Sequence, residues 1–249
     1  MKMKLAKIPV MEVFGPTIQG EGPVIGQKTI FVRTGGCDYR CSWCDSKFTW
    51  DGSEKPEMLS PAEVYARVAE LVHARQDDGY EYCDHVTISG GNPALIGEPM
   101  QEFIDILHEA GMRVGLETQG SRWQDWFRDI DDLVISPKPP SSGMSTNWVI
   151  LDSIMTSLPM GGEDRPSLKV VVFDDVDWEY AKKVHKRYPW APMFVSVGNP
   201  LVNEEEPIVL QLLQRLEWLF DKLIHDPEMN NVRALPQLHT LVWGNRRKV

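Results

Sequence analysis

Three of the four cysteines in this chain lie within eight residues, as Cys37, Cys41 and Cys44 in a C-x3-C-x2-C pattern. Thiolates spaced so closely in one loop can all face a single inorganic centre. A four-iron cluster held by three thiolates leaves one iron open, which a reaction at the cluster requires. Structural zinc instead needs four tetrahedral ligands. The pattern therefore favours a [4Fe–4S] cluster over zinc.

Zinc remains the alternative if another side chain completes the set. Cys83, the remaining cysteine, stands just before a predicted strand and is expected to be a small buried apolar residue. His73 and His85 could supply a fourth ligand, but neither has the spacing from the cysteines that zinc motifs show. A zinc-binding interaction module is thus the non-enzymatic interpretation of the same cysteines.

The charge balance and the apolar runs of the chain limit the classes of partner that it can bind and indicate the cell compartment in which it acts. Asp and Glu number 36 against 26 Lys and Arg, a formal net charge of -10 that argues against a nucleic-acid partner. The basic start of the chain soon meets Pro9 and Glu12, so no signal-peptide core forms. No apolar run approaches the roughly 18 residues of a membrane helix. We therefore expect a cytoplasmic protein with no membrane partner, in a compartment where clustered cysteines bind metal.

The elements that must position the cysteines are short β-branched runs alternating with amphipathic stretches. Strands are predicted at residues 29–33, 85–89, 113–117, 133–136, 168–173, 193–197 and 232–235. Strands that alternate with helices predict βαβ units and a largely parallel sheet. The predicted fold class is therefore α/β, either doubly wound or a full or partial barrel.

Helices are predicted between these strands. Ser60 and Glu63 form a capping box with Pro61 at the first helical position, and Gly111 suits the end of the second helix. The apolar faces of the four helices are, in chain order, Val64, Val68, Leu71 and Val72; Met100, Phe103, Ile104 and Leu107; Tyr180, Ala181 and Val184; and Leu212, Leu213, Leu216, Phe220 and Leu223. Segments 137–143 and 159–166, rich in Pro, Gly and Ser, are predicted loops. We interpret residues 1–249 as one domain.

Polar residues follow several predicted strands at the point where each strand ends. Residues 89–93 read Ser-Gly-Gly-Asn-Pro after the second strand, residues 117–120 follow the third, and residues 136–138 follow the fourth. Parallel strands end at one edge of a sheet, and the glycines let a ligand approach the backbone closely. This repeated placement indicates an active-site face.

The cysteine spacing, with Trp43 directly before the last cysteine, resembles the motif of the radical S-adenosylmethionine (SAM) superfamily. Residues 89–93 resemble its Gly-Gly-Glu-Pro element, with Asn92 in place of Glu. The resemblance implies a partial (βα)6-type barrel of parallel strands and an open iron that binds SAM. It also implies reductive cleavage of SAM to a 5′-deoxyadenosyl radical, with the protein orienting the cofactor.

A closer resemblance is carried by residues 14–22, Arg33, residues 45–46 and residues 237–239, the last reading Gln-Leu-His. Spanning essentially the whole chain, it is to the 7-carboxy-7-deazaguanine synthases, most closely the form found in bacilli. It implies a radical lyase that contracts the ring of 6-carboxy-5,6,7,8-tetrahydropterin to 7-carboxy-7-deazaguanine with loss of ammonia. This is a step towards 7-deazapurines such as queuosine, and SAM is regenerated.

The resemblance also implies roles for residues that match the family's motifs. Cys37, Cys41 and Cys44 would hold the cluster, and Ser46, where Thr is usual, would bind Mg²⁺. The implied SAM contacts are Gly91, Glu117, Ser136, Pro137 and Lys138. The implied substrate contacts are Ile18, Gln19, Gly20, Arg33, Ser89 and His239. A planar guanidinium such as that of Arg33 can clamp a carboxylate through two hydrogen bonds.

Partners are implied in the same way. The resemblance implies an electron donor such as flavodoxin or ferredoxin, and a homodimer. It also implies an N-terminal substrate-binding segment and a C-terminal extension that closes the site. The competing enzymatic interpretation is a glycyl-radical-enzyme activating enzyme, which shares the cysteine spacing and the Gly-Gly element. Such an enzyme acts on a protein glycine and needs neither Arg33 nor the segment from Gln19 to Glu21.

Overall fold

The computed structural model describes residues 7–72, 83–162, 165–202 and 208–249. His73 lies outside these residues, and the predicted loop 159–166 lies partly outside them. The strands form one nine-stranded sheet in the order β3-β1-β2-β4-β5-β6-β7-β8-β9. This order is open, with β3 at one edge and β9 at the other. The α/β class and the partial barrel are confirmed.

The parallel part of the sheet holds every strand predicted from the sequence. It comprises β2 (Lys28–Thr34), β4 (His85–Gly90), β5 (Arg113–Thr118), β6 (Asp132–Ile135), β7 (Ser167–Val172), β8 (Met193–Val197) and β9 (Val232–Leu235). The first six make the (βα)6 core, and β9 extends it by one parallel strand. The register places Arg33 beside Ser89, so two predicted substrate residues end adjacent strands.

Two antiparallel strands at the β2 edge were not predicted. They are β1 (Ile8–Ile18), which pairs with β2, and the short β3 (Glu57–Leu59), which pairs with β1. Alternate side chains of β1 are buried from Ile8 to Phe14, as expected for a strand with one face on the core. Its register sets Glu12 opposite Arg33. This edge therefore brings a carboxylate to the predicted site.

The helices cover the sheet and include each predicted one. They are α1 (Pro61–Val72), α2 (Glu98–Glu109), α3 (Trp148–Ser157), α4 (Asp175–Arg187), α5 (Val209–His225) and α6 (Leu238–Trp243). The capping box at α1 is confirmed, because the Ser60 amide donates to Glu63 Oε2 at 2.7 Å and the Glu63 amide donates to Ser60 Oγ at 3.3 Å. The helices α3 and α6 were not predicted.

One predicted helix face needs correction. In α5 the buried residues are Leu212, Leu216 and Leu219. Leu213 and Phe220, predicted on the same apolar face, are 45% and 40% exposed. The apolar stripe of this helix is wider than the part of it that meets the sheet, so residue type alone does not identify which of its apolar side chains are buried. Among the helices of the described residues, none is both long and apolar enough to cross a bilayer.

Candidate active site

A cavity of about 280 Å³ opens at the carboxyl ends of the parallel strands. Most of the residues predicted to bind cofactor or substrate line it, namely Ile18, Gln19, Gly20, Arg33, Cys37, Cys41, Cys44, Ser46, Ser89, Gly91, Glu117, Lys138 and His239. Ser136 and Pro137 do not line the cavity. Ser136 is buried behind Lys138, whose ammonium donates to Ser136 Oγ at 3.0 Å. The strand ends thus gather residues that are far apart in the sequence.

The cysteine loop follows β2 directly. Gly36 begins it with a φ of 89°, in the left-handed region that glycine adopts at little cost, and its amide donates to Thr49 O at 2.7 Å. Within the loop, the Cys44 amide donates to Cys41 O at 3.3 Å. These backbone bonds close the loop on itself and turn the three thiols toward the same cavity.

A second loop supports the first from outside. Residues 137–143, predicted as a loop, contain a short 3-10 turn at Pro140–Ser142. The Ser42 amide donates to Ser142 O at 3.0 Å, and Trp43 Nε1 donates to Ser141 Oγ at 3.0 Å. The Trp43 ring also packs against Phe173, with centroids 5.1 Å apart. The aromatic residue before the last cysteine therefore anchors the loop to its neighbours.

The three thiols have the donor chemistry that the implied cluster needs. Burial raises the pKa of the Cys37 and Cys44 thiols. Burial, reinforced by the two neighbouring thiols and opposed by Lys138, raises the pKa of Cys41 to about 11. Thiols so placed become thiolates readily only when a metal centre supplies the compensating charge. They fit iron ligation better than an exposed reactive nucleophile.

The geometry also bears on the zinc alternative. Among the described residues, no three His, Cys, Asp or Glu side chains converge closely enough to hold one metal ion. A cluster needs no such convergence, because each thiolate binds a different iron. Cys83 lies in the hydrophobic core, and His85 is buried and bonded to Thr29 Oγ1 at 2.8 Å at the far end of the strands. Neither residue completes a zinc site with the triad.

The Gly-Gly element packs the second strand end against the cysteine loop. A Cβ on Gly90 would lie 2.2 Å from Thr34 O, and one on Gly91 would lie 2.0 Å from Gly36 O. Both distances are far below van der Waals contact, so any larger residue would push the loop away. The glycines therefore set the position of the cluster loop as well as offering backbone to a ligand.

Asn92, which replaces the superfamily's usual Glu, has no exposed surface. Its amide nitrogen donates to Asp38 Oδ1 at 2.9 Å and to Ser121 Oγ at 3.0 Å, while its oxygen accepts from Thr118 Oγ1 at 2.8 Å. Gln119 donates to the same Asp38 oxygen at 2.6 Å. Asn92 thus ties the cysteine loop to the end of β5, a structural role that the motif did not predict.

At the other end of the cavity, the C-terminal helix α6 packs on the segment after β1. A Cβ on Gly20 would lie 2.2 Å from His239 Nδ1, and the Leu238 amide donates to Gly20 O at 2.9 Å. Gln19 turns back on its own segment, accepting from the Gly20 amide at 2.7 Å. The predicted substrate residues Gly20 and His239 are therefore in contact, although the sequence separates them widely.

A buried lysine between two carboxylates lies beside them and was not predicted. Lys169 of β7 is 2% exposed, bonds to Glu21 and donates to Glu117 Oε2 at 2.7 Å. Burial would raise the pKa of Glu21, but Lys169, aided by His239 and Gln237, lowers it to about 2. Burial likewise opposes the charge on Lys169, yet the two carboxylates raise its pKa. Glu21 and Lys169 are therefore both charged around neutral pH.

Arg33 lies in an aromatic and acidic setting. Its guanidinium carbon is 5.5 Å from the Phe14 ring centroid and 5.7 Å from that of Phe48, and its Nη1 is 3.3 Å from Glu12 Oε2. Glu12 was not predicted as a site residue. Single charges within apolar runs, as at Glu12 and Lys169, are the sequence signal that could have drawn attention to both.

Ser46 lines the cavity two residues after Cys44. Its hydroxyl donates to Asp45 Oδ1 at 2.9 Å, and both residues line the cavity. A hydroxyl and a carboxylate side by side offer oxygen ligands of the kind Mg²⁺ prefers. The pair could hold the ion with water and ligand oxygens completing its shell.

The chain is similar to known proteins over nearly its whole length. The Radical SAM superfamily matches residues 31–136. The chain is 52% identical to the 7-carboxy-7-deazaguanine synthase of Bacillus cereus over 249 residues, covering 98% of this chain and 100% of that protein. It is 55% identical to the synthase of the same name from Bacillus subtilis over 247 residues, covering 97% of this chain and 98% of the other.

A solved structure shares the fold. The crystal structure of QueE from Escherichia coli matches with a TM-score of 0.62 at 22% identity, covering 94% of this chain and 95% of that one. The near-full-length identity to the two bacillus synthases decides the family, and it favours neither the activating-enzyme nor the zinc-module interpretation. The chain belongs to the 7-carboxy-7-deazaguanine synthase family of radical SAM enzymes.

Proposed function

We infer that this chain is a 7-carboxy-7-deazaguanine synthase, a radical SAM lyase that converts 6-carboxy-5,6,7,8-tetrahydropterin to 7-carboxy-7-deazaguanine and ammonia. The identity to the bacillus synthases over nearly the whole chain supports this activity. The observation that carries it is a single cavity that joins the cysteine triad to a second end rich in paired charges. A radical generated at one end can act there on a polar substrate held at the other.

The residues at the first end would hold the cofactors. When bound, the [4Fe–4S] cluster and SAM supply the radical chemistry that begins with removal of hydrogen from C6 of the substrate. Cys37, Cys41 and Cys44 would bind three irons and leave the fourth to SAM. The proposed SAM contacts are Gly91, Glu117, Ser136, Pro137 and Lys138. Because Ser136 is buried, its hydroxyl would act through Lys138, to which it is bonded.

The second end would hold the substrate. Arg33 would clamp the carboxylate, and the neighbouring Ser89 would bind beside it. Ile18, Gln19, Gly20 and His239 would line the pterin, and the absence of a side chain at Gly20 leaves room for His239 against it. The hydroxyl of Ser46 would ligate Mg²⁺. These charged and hydrogen-bonding groups hold the ring system in one orientation relative to the radical source.

The wider setting is also proposed. We place the chain in the cytoplasm as one domain, with an electron supplied by a small redox protein such as flavodoxin or ferredoxin. We also propose a homodimer. The outer face of α5 supports it, because Leu210 and Ile224 are 76% and 77% exposed in line with Leu213 and Phe220.

Anaerobic turnover tests the function. Reconstituted, reduced enzyme with SAM and carboxytetrahydropterin should give the deazapurine by mass analysis, with SAM recovered rather than consumed. Metal analysis should find iron and sulfide. One equivalent of zinc without iron, or SAM cleavage with no deazapurine, would contradict the proposal. Light scattering of the same preparation measures the dimer independently.

A further inference from the structure

The last six residues of the chain return over the substrate end of the cavity. Residues 244–249, which we call the C-terminal strap, all line it. Gly244 and Lys248 adopt φ values of 65° and 61°. The left-handed region is unfavourable for a residue with a side chain, so contacts must hold Lys248 there. Contacts with the rest of the protein therefore hold the strap in one conformation.

Arg247 is the main anchor of the strap. Its guanidinium carbon lies 3.6 Å from the centroid of the Phe48 ring. Its Nη1 donates to Glu54 Oε1 at 2.6 Å, and its Nε donates to Glu12 Oε1 at 3.0 Å. Flat stacking and bidentate bonding are interactions that a guanidinium makes and an ammonium does not.

Glu12 is shared between this anchor and the predicted substrate arginine. Its side chain is 1% exposed, with Oε1 bonded to Arg247 and Oε2 facing Arg33 Nη1 at 3.3 Å. Among the described residues, Oε2 makes no hydrogen bond, so it relies on the ion pair with Arg33. A buried carboxylate needs both neighbouring positive charges to offset the cost of its burial. Phe48 is shared as well, since both guanidinium groups lie over its ring.

We propose that Glu12 is a positioning residue that couples the C-terminal strap to Arg33. Neither Glu12 nor Phe48 lines the cavity, so both act from behind the groups that do. When Arg247 occupies its socket, Glu12 is fixed and holds Arg33 at the angle at which it meets the substrate carboxylate. When the strap leaves, Glu12 loses both Arg247 and Lys248, whose Nζ lies 3.9 Å from Oε1, and Arg33, the remaining cation, turns toward it. The inference rests on the proposed function for the identity of the carboxylate.

Glu12→Gln and Arg247→Ala, made singly and together in the full-length holoenzyme, test the coupling. Each should raise the KM for carboxytetrahydropterin about tenfold, the effect of weakening one charged hydrogen bond. The kcat should fall less, and the affinity for SAM should not change. The free-energy change that corresponds to the KM of the double variant should be much smaller than the sum for the two single variants, because both changes break the same connection. Hydrogen exchange of residues 244–249 should rise in Glu12→Gln.

Arg187→Ala is the matched control. Arg187 also bonds a carboxylate, donating from Nε to Asp152 Oδ1 at 2.6 Å, and also lies over an aromatic ring, 5.3 Å from the Trp148 centroid. It joins α4 to α3, away from the cavity, so its loss should change neither KM nor strap exchange.

The outcomes separate this inference from the proposed function. Unchanged KM in both single variants, additive effects, or unchanged strap exchange would each overturn the coupling while wild-type turnover continued. A wild-type enzyme that makes no deazapurine would refute the proposed function instead. In that case the rate of hydrogen exchange in the strap still decides whether Glu12 holds it in place. Arg247 is 40% exposed, so Arg247→Ala should fold even if Glu12→Gln does not.

Discussion

The two ends of the cavity are held by opposite kinds of interaction. At the cluster end, Cys37, Cys41 and Cys44 are neutral thiols whose loop is held by backbone hydrogen bonds and by the loop around Ser141. At the substrate end, buried charges hold one another: Lys169 pairs with Glu21 and also with Glu117, a proposed SAM contact, and Glu12 lies between two arginines.

This difference predicts different consequences of mutation. A thiol removed from the cluster end takes away a metal ligand but leaves no charge without a partner, so the protein alone should keep its stability. A charge removed from the substrate end leaves its buried partner uncompensated, which is costly in a low-dielectric site. Function and stability should therefore separate at one end and fall together at the other.

The largest effect on activity is expected at the cluster end. Cys37→Ala, Cys41→Ala or Cys44→Ala should each abolish SAM cleavage, because two thiolates do not hold a four-iron cluster with one open iron. Iron content and SAM cleavage after reconstitution measure this, and urea unfolding of the metal-free proteins should differ little from wild type. Cys83→Ala is the control that should stay active. A fully active triad variant would refute the assignment.

The largest effect on stability is expected at the substrate end. Lys169→Met should destabilise the fold by about 3–5 kcal/mol, because it leaves two carboxylates facing each other without a cation. The triple variant Lys169→Met, Glu21→Gln, Glu117→Gln should recover most of that stability, since none of the three charges remains. It should nevertheless be inactive, because it lacks the charged groups of the cavity. Urea unfolding measures both. A single variant as stable as wild type would show that this charge pairing is not structurally important.

The pH dependence of stability distinguishes the two ends further. The pKa of Glu21 is lowered from 4.5 to about 2, so its stabilising contribution is complete above 4.5 and disappears as the pH falls toward 2. The stability difference between wild type and Glu21→Gln should therefore shrink over that interval. Urea unfolding at several acidic pH values checks it. A difference that stays constant would mean that Lys169 does not hold Glu21 ionised.

The cluster end could be predicted from the sequence because its information is local. Cys37, Cys41, Cys44 and Trp43 are neighbours in the chain, and strand periodicity located the parallel strands that carry them. Asn92 was a partial exception, because its departure from the motif was visible but its bond to Asp38 was not. Such a contact depends on how two strand ends meet.

The substrate end could be predicted only in part, because its pairs are distant in the chain. Lys169 and Glu21 are separated by 148 positions, and Arg247 and Glu12 by 235. Nothing in either segment indicates its partner. The strand β1, which supplies Glu12, was not predicted. In the sequence, the residues that lead into it stand out only for their positive charge. The exposed Leu213 and Phe220 on α5 show the same limit for helix faces.

A smaller effect on activity is expected at Arg33. Arg33→Ala should raise the KM for carboxytetrahydropterin at least about tenfold, the effect of losing a charged hydrogen bond, while slow uncoupled SAM cleavage continues. The KM of Arg33→Lys should lie between those of wild type and Arg33→Ala, because an ammonium keeps the charge but not the bidentate geometry. Steady-state kinetics with SAM-cleavage controls measure this. Unchanged turnover and KM in Arg33→Ala would show that another group binds the carboxylate.

The smallest effect is expected at Ser46, which follows the cysteine triad. Ser46→Ala should weaken the stimulation of turnover by Mg²⁺ a few-fold and no more, because water can replace one oxygen ligand around this ion. Ser46→Thr, which keeps the hydroxyl, should match wild type. Titration of turnover with Mg²⁺ in metal-depleted buffer measures both. If Ser46→Ala responds to Mg²⁺ as wild type does, the neighbouring Asp45 becomes the better candidate ligand, since its carboxylate already bonds the Ser46 hydroxyl at 2.9 Å.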